Sequence, residues 1–310
     1  MNTLLTVGSV AFDQIETPYG KTDKILGGAG TFGALAASNF NITNNLVSVV
    51  GYDFPAEYLQ LLKNHNVDIS GIEQKEDEKT FFWAGKYHQN MNQRDTLVTE
   101  LNSLANFVPK VPGHFKNPDV LMLGNLTPVV QRQVIEQMNV RPKIIAMDTM
   151  NFWMDTMLDE LHKTISMVDV LLINDEETRQ LSGEYFLPVA AKKVLQMGPK
   201  FVIVKKGEHG ALIFSEDDVF AAPALPLDLV FDPTGAGDTF AGGFTGFLAQ
   251  TMDFSFENMK NAVIVGSAMA SFTVEKFGTE KIQHLTKDEL FQRIELFKKL
   301  TSFELPKDVF

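Results

Sequence analysis

The sequence contains no cysteine, which excludes a disulfide framework and any thiolate zinc site. Its six histidines, at 65, 88, 114, 162, 209 and 284, form no H-x-x-x-H pair, so a histidine-based metal centre is not expected. Positive charge is in deficit: 27 Lys and Arg stand against 39 Asp and Glu, a net −12. That balance argues against nucleic acid as a partner. No run approaches about 18 apolar residues, the length a membrane helix needs. The N-terminus has no basic n-region, and Gly8, Ser9 and Asp13 interrupt its apolar opening, so neither a leader nor a membrane partner is expected. These features read as cytoplasmic. No period repeats and no stretch is low in complexity. What remains is 310 residues, 45% apolar, enough for one large α/β domain or two smaller ones.

The richest stretch is Asp232-Pro233-Thr234-Gly235-Ala236-Gly237-Asp238-Thr239-Phe240-Ala241-Gly242-Gly243-Phe244. It reads as a strand end at Leu229–Phe231, a Gly-rich turn, and an apolar helix to about Leu248. Small residues at 235–237 let a phosphate approach the backbone, and their N–H groups at a helix start form an anion site. A carboxylate beside such a site repels phosphate. It makes chemical sense if Asp238 takes a proton from an attacking hydroxyl while the N–H groups hold the transferring phosphoryl group. The structural alternative is a turn closed by an acidic cap. The string resembles the C-terminal signature of the PfkB (ribokinase-like) family of sugar and nucleoside kinases, D-[TP]-x-G-A-G-D followed by a helix of small residues. That resemblance implies Asp238 as base, with Gly235, Ala236 and Gly237 stabilising charge.

Leu4–Phe12 has the pattern of a buried strand ending at Asp13, at the sheet edge where open α/β proteins bind ligands. A turn aspartate fits the spacing equally well; the resemblance implies that Asp13 bonds acceptor hydroxyls. Gly27 and Gly28 resemble the family's Gly-Gly element, against which the acceptor lies. Phe32 stands where the family usually has an acceptor-binding Asn, and is either a pocket residue or helix core. Gly28, Gly30 and Gly33, with Asp53 twenty residues on, also spell a dinucleotide fingerprint. The fingerprint belongs directly after the first strand, and here Gly27 comes 14 positions after Asp13.

Residues 14–25 read as a hairpin, and 72–101 as further strands with no helix between them. The resemblance implies that these segments form a lid over the acceptor, often also a dimer surface. Phe81, Phe82, Trp83 and Tyr87 fit lid core, a dimer seam or a ring-stacking acceptor contact. After Pro112 strands and helices alternate, the signature of a parallel sheet covered on both faces. Asp148 and Asn174 end two of these strands, and Asn151 follows nearby.

Asn174 and Glu177 fit the family's N-x-x-E motif, which implies a Mg²⁺ and phosphate site acting through water. An acidic helix start explains the same residues without function. Lys205, Gly207 and Gly210 resemble a family hairpin beneath the nucleotide, although a plain turn fits too. By resemblance, Phe277 and Gly278 wall the adenine, and Asp232 and Thr234 border a monovalent cation, K⁺.

The expected fold is therefore a ribokinase-like, doubly wound α/β domain with a mostly parallel sheet. Residues 1–13, 26–71 and 102–310 form the core, and 14–25 and 72–101 a β-lid. The expected function is an ATP- and Mg²⁺-dependent kinase acting on a hydroxyl of a sugar or sugar-containing small molecule, with a homodimer formed through the lid. An adenosine-type nucleoside kinase is the nearest alternative. An NAD-binding oxidoreductase and a non-catalytic sugar or nucleotide sensor are the others; the intact Asp238 speaks against a sensor.

Overall fold

Short apolar segments at regular intervals build the central sheet of this computed structural model, which describes residues 1–304. The last expected core residues, 305–310, lie outside the described residues. In chain order the strands are β1 (Thr3–Val7), β2 (Ala11–Thr17), β3 (Gly20–Lys21), β4 (Ile25–Gly27), β5 (Thr43–Val50), β6 (Val67–Gln74) and β7 (Phe82–Tyr87). Then follow β8 (Arg94–Glu100), β9 (Val120–Leu123), β10 (Ile144–Asp148), β11 (Val170–Asn174), β12 (Phe201–Lys205), β13 (Ala211–Phe214) and β14 (Val219–Ala222). The helices are α1 (Ala29–Ala37), α2 (Ala56–Asn64), α3 (Pro128–Glu136), α4 (Asn151–Thr156), α5 (Leu158–Ile165) and α6 (Asp175–Ser182). They continue with α7 (Leu187–Leu195), α8 (Ala236–Thr251), α9 (Phe256–Thr273), α10 (Glu280–Gln283) and α11 (Lys287–Thr301).

Nine strands form the large sheet in the order β14-β13-β12-β11-β10-β9-β1-β5-β6. It is parallel from β12 to β6, and only the β13 and β14 edge is antiparallel. Alternate residues serve opposite faces. Leu5, Leu121, Ile145, Leu171 and Val202 face α3, α5 and α7, while Leu4, Val120, Ile144, Val170 and Ile203 face α8 and α9. Burial on both sides explains why these strands read as unbroken apolar runs.

The small sheet has the order β3-β2-β7-β8, with β4 paired to β2. All seven residues of β8 are exposed.

Four expectations need correction. The run 4–12 is two strands. The chain leaves the large sheet after Val7, where Gly8 packs against the backbone of Gly30, and enters the small one at Ala11. Asp13 therefore lies inside β2, not at the end of β1. The boundaries at 13 and 26 shift accordingly, since 11–13 and 25–27 belong to the small sheet. Residues 72–74 belong to the large sheet, because β6 stays paired with β5 through Val50 and Gln74. Finally, 229–231 is not a strand; the segment is tied instead by the Phe231 N–H donating to the Val274 carbonyl at 2.8 Å.

Candidate active site

Three neighbouring parallel strands end together, at Asp148 (β10), Asn174 (β11) and Lys205 (β12), with Asn174 registered against Lys205. The N-terminus of α8 faces this edge. Gly235 caps it at φ 75° with no side-chain hydrogen bond. A side chain here would require a left-handed backbone, which favours glycine, and would collide with the Phe32 ring. The Ala236 N–H donates to the Pro233 carbonyl at 3.2 Å. Among the described residues the N–H groups of Gly235 and Gly237 have no protein acceptor. The expected triad of free N–H groups at 235–237 is thus reduced to two, aimed out of the positive end of a 16-residue helix.

Asp238 sits in the first turn of α8, half-buried, and among the described residues no other side chain bonds its carboxylate. Burial raises its pKa well above the usual carboxylate range, and the nearby Asp148 charge adds to this; Lys205 and Arg94 oppose it. Lys205 Nζ donates to Asp148 Oδ2 at 2.8 Å. Burial acts to lower the Lys205 pKa, but the charges of Asp148 and Glu177, the Asp148 hydrogen bond and Asp238 leave it raised. Asp148 is held in turn. Its Oδ1 accepts from the Thr149 N–H at 2.8 Å, and Gln131 Nε2 bridges the Asp148 and Gly124 carbonyls at 2.9 Å each. One α3 side chain thereby clamps the ends of β9 and β10.

At α6, Asn174 and Glu177 form a capping box. Asn174 Oδ1 accepts from the Glu177 N–H at 2.7 Å, and Glu177 Oε2 accepts from the Asn174 N–H at 2.8 Å. Burial pushes the Glu177 pKa up to about 7, with Lys205 pulling down, Asp148 pushing up, and the Asn174 N–H and Arg94 pulling down.

On the other side of the cleft, Asp13 is buried with its carboxylate directly over Gly27, where any side chain would collide with it. Burial, then the charges of Asp232 and Asp238, push its pKa to about 7 against the Gly28 backbone bond and Arg94. Gly28, at φ 96°, lies against the Ser9 carbonyl. Phe32 is only 1% exposed and belongs to the core behind Gly235. Of its two expected roles the packing favours helix core, where the ring supports the α8 turn.

The small sheet closes over this cleft at two points. Thr234 Oγ1 donates to Tyr87 Oη at 3.1 Å. Asn92 Nδ2 donates to Glu208 Oε1 at 2.6 Å, beside Gly207 and across the turn that Gly210 closes at φ 84°. Asp232 is fully buried. Its two oxygens accept from the N–H groups of Thr234 and Gly278, each at 2.8 Å; burial raises its pKa against these bonds. Phe277 packs on Phe231, with ring centroids 6.5 Å apart, and beside Gly20; Gly278 meets Ile25. The 277–278 loop thus joins the 231–232 segment to the small sheet.

The sequence reading missed Arg94. Its charge reaches Asp13, Glu177 and Asp238, and its guanidinium lies 5.6 Å from the Trp83 ring centroid. The available signal was its being the one arginine in 72–101. Gln131 carried no signal, since its role depends on where β9 and β10 end.

Residues 1–285 match the family model described as "pfkB family carbohydrate kinase". The chain is 28% identical to the cytidine kinase of Thermococcus kodakarensis over 250 residues, covering 79% of this chain and 87% of that one. It is 29% identical to the nucleoside kinase of Methanothermobacter thermautotrophicus over 289 residues, covering 89% and 91%. Its fold matches that of a putative ribokinase II from E. coli solved with ATP and Mg²⁺, with a TM-score of 0.77, 20% identity, and coverage of 97% and 100%. The architecture is thus ribokinase-like.

Proposed function

The chain belongs to the pfkB family of carbohydrate kinases and is a phosphotransferase acting on hydroxyl groups, and from that premise we propose that it moves the γ-phosphoryl group of ATP to a hydroxyl of a sugar-bearing small molecule, with Asp238 as general base. The observation that carries this reading is the α8 turn. A half-buried carboxylate that, among the described residues, no other side chain bonds stands one residue beyond two free N–H groups. The Gly235 and Gly237 N–H groups stabilise charge on the transferring oxygens, and Asp238 takes the acceptor proton. Asp13 orients the acceptor from the small sheet, and closure of that sheet excludes water.

The residues fit Mg²⁺ in one limited way. Among the described residues no three acidic or histidine side chains converge on a metal position. Among the described residues Glu177 Oε1 carries no protein hydrogen bond, which suits an ion held mainly by phosphates and water. When bound, Mg²⁺ would neutralise phosphate charge. Each Asp232 oxygen accepts one N–H and the Thr234 hydroxyl donates to Tyr87, so their remaining lone pairs are compatible with K⁺; no step uses that ion.

We favour a nucleoside over a bare sugar. Asp13 and Trp83 are registered partners on β2 and β7, so their side chains share one face of the small sheet. A sugar hydroxyl on Asp13 places an attached base beside Trp83, and the T. kodakarensis and M. thermautotrophicus relatives are named for such acceptors. The exposed β8, with Leu97 and Val98 outward, is the surface we propose for a homodimer. Use of ATP fits work in the cytoplasm. Coupled ADP release across nucleosides, pentoses, hexoses and sugar phosphates tests the assignment. The expected result is turnover that requires an acceptor and is fastest with a nucleoside. Turnover confined to simple sugars would overturn the nucleoside choice.

A further inference from the structure

Lys205 occupies a position that packing alone does not explain. Its side chain is 18% exposed and that of Asp148 is 7% exposed. An ammonium group has three donors, and among the described residues only the bond to Asp148 at 2.8 Å engages one. A Cβ on Gly237 would lie 3.1 Å from Nζ, so the ammonium rests against the first turn of α8. The start of a helix carries partial positive charge. The carboxylates of Asp148, Glu177 and Asp238 offset that charge around the ammonium.

We propose that Lys205 contacts the transferring phosphoryl group and that Asp148 is the residue that positions it. This rests on the α8 reading above and extends it. Phosphoryl oxygens between Nζ and the Gly235 and Gly237 N–H groups give the two unused ammonium donors their acceptors. The phosphoryl group concerned is the terminal one, because Asp238 directly follows Gly237 and must reach the hydroxyl that attacks it. In that step the acceptor oxygen bonds to the γ-phosphorus and the bond to the β–γ bridging oxygen breaks. Its electron pair stays on ADP, and the hydroxyl proton goes to Asp238. Lys205 keeps its proton throughout. The Thr149 N–H and Gln131 fix Asp148, so the carboxylate holds the ammonium in place before nucleotide arrives.

The position also accounts for a small residue at 237. A side chain there presses on Nζ, so Gly237→Ala displaces the ammonium without touching its charge.

The test compares binding of ADP with binding of a non-hydrolysable β,γ-methylene ATP analogue by calorimetry, alongside melting temperature and kcat. Lys205→Met is expected to weaken the analogue by about 10–100-fold, the size of a lost charge-assisted hydrogen bond, while ADP binding changes by less than about 2-fold on that same scale. Lys205→Arg should restore most of the difference. Asp148→Asn should give a smaller loss of the same kind. If Lys205→Met is poorly folded because Asp148 is left buried and unpaired, the double variant Lys205→Met with Asp148→Asn removes both charges and must show the same selective loss. Equal weakening of both nucleotides in a folded variant, or no weakening of either, overturns the proposal. If wild type binds neither nucleotide, the α8 reading itself fails, which is a distinguishable outcome.

Discussion

Helices α6 and α8 begin at the same edge of the sheet and surround their first N–H groups differently. At α6, Asn174 and Glu177 bond each other's backbone, and the three acids Asp175, Glu176 and Glu177 add charge that suits a helix start. The box engages the Asn174 and Glu177 N–H groups, while among the described residues those of Asp175 and Glu176 have no protein acceptor and lie among the acids' own charges. At α8 the cap is a glycine with no side chain to offer, and the N–H groups of Gly235 and Gly237 are left over. Orphan donors at a helix start are satisfied by side chains, water or ligand. The contrast teaches that free donors alone do not make an anion site: at α6 three acids stand beside them, whereas at α8 a glycine cap and small residues leave them open to an anion.

The sharpest way to break this contrast is Asp238→Asn. It should lower kcat by about 10²–10⁴-fold, the range for a lost general base, with nucleotide binding retained in a calorimetric titration. A variant with near-wild-type kcat would remove Asp238 from the chemistry.

Gly235→Ala should come next. The left-handed backbone alone costs about 1–2 kcal/mol, and the new methyl meets the Phe32 ring. Urea unfolding should show that loss, and a shift of the turn should weaken ATP binding with it. Stability unchanged from wild type would mean that the turn tolerates a side chain.

The cleft also sets a pH dependence. Asp13 and Glu177 have pKa values raised to about 7 from 3.8 and 4.5. The folded protein therefore holds these protons more tightly than the unfolded chain does. Their contribution to stability is full below about pH 4 and is lost as pH rises through about 7. The ligand-free protein should melt at a higher temperature at pH 5 than at pH 8, and Asp13→Asn should flatten that slope. Glu289, lowered to about 2 by Lys281 and the Thr286 backbone, acts only below pH 4.5 and leaves this window untouched. The smallest effect belongs to α6. Asn174→Ala should cost about 1 kcal/mol of stability, as a lost cap does, measured by urea unfolding. A change above 3 kcal/mol on that scale would mean that Asn174 does more than close the helix.

Much of the α8 site was legible because glycine at 235 and 237 and an acid at 238 have few uses together. The engagement of the Ala236 N–H was not legible, since it depends on where Pro233 turns its carbonyl. Asp13 was misplaced because Val10-Ala11-Phe12 is as apolar as Leu4-Leu5, and an apolar run does not record a change of sheet. Ile72 was assigned to the lid for a similar reason: β6 has no helix after it, and only its pairing with β5 ties it to the large sheet. Phe32 left two roles open, and packing against Gly235 decided between them. Arg94 depends on closure of the small sheet over the large one, which local sequence does not encode.

The most direct measurement is amide NMR with ¹⁵N-glycine labelling, supplemented by labelling of aspartate and glutamate. A non-hydrolysable ATP analogue should shift the Gly235 and Gly237 resonances strongly, while those of Asp175 and Glu176 at the start of α6 move little. Unmoved Gly235 and Gly237 signals, with the α6 amides shifting instead, would contradict the assignment of phosphoryl binding to α8.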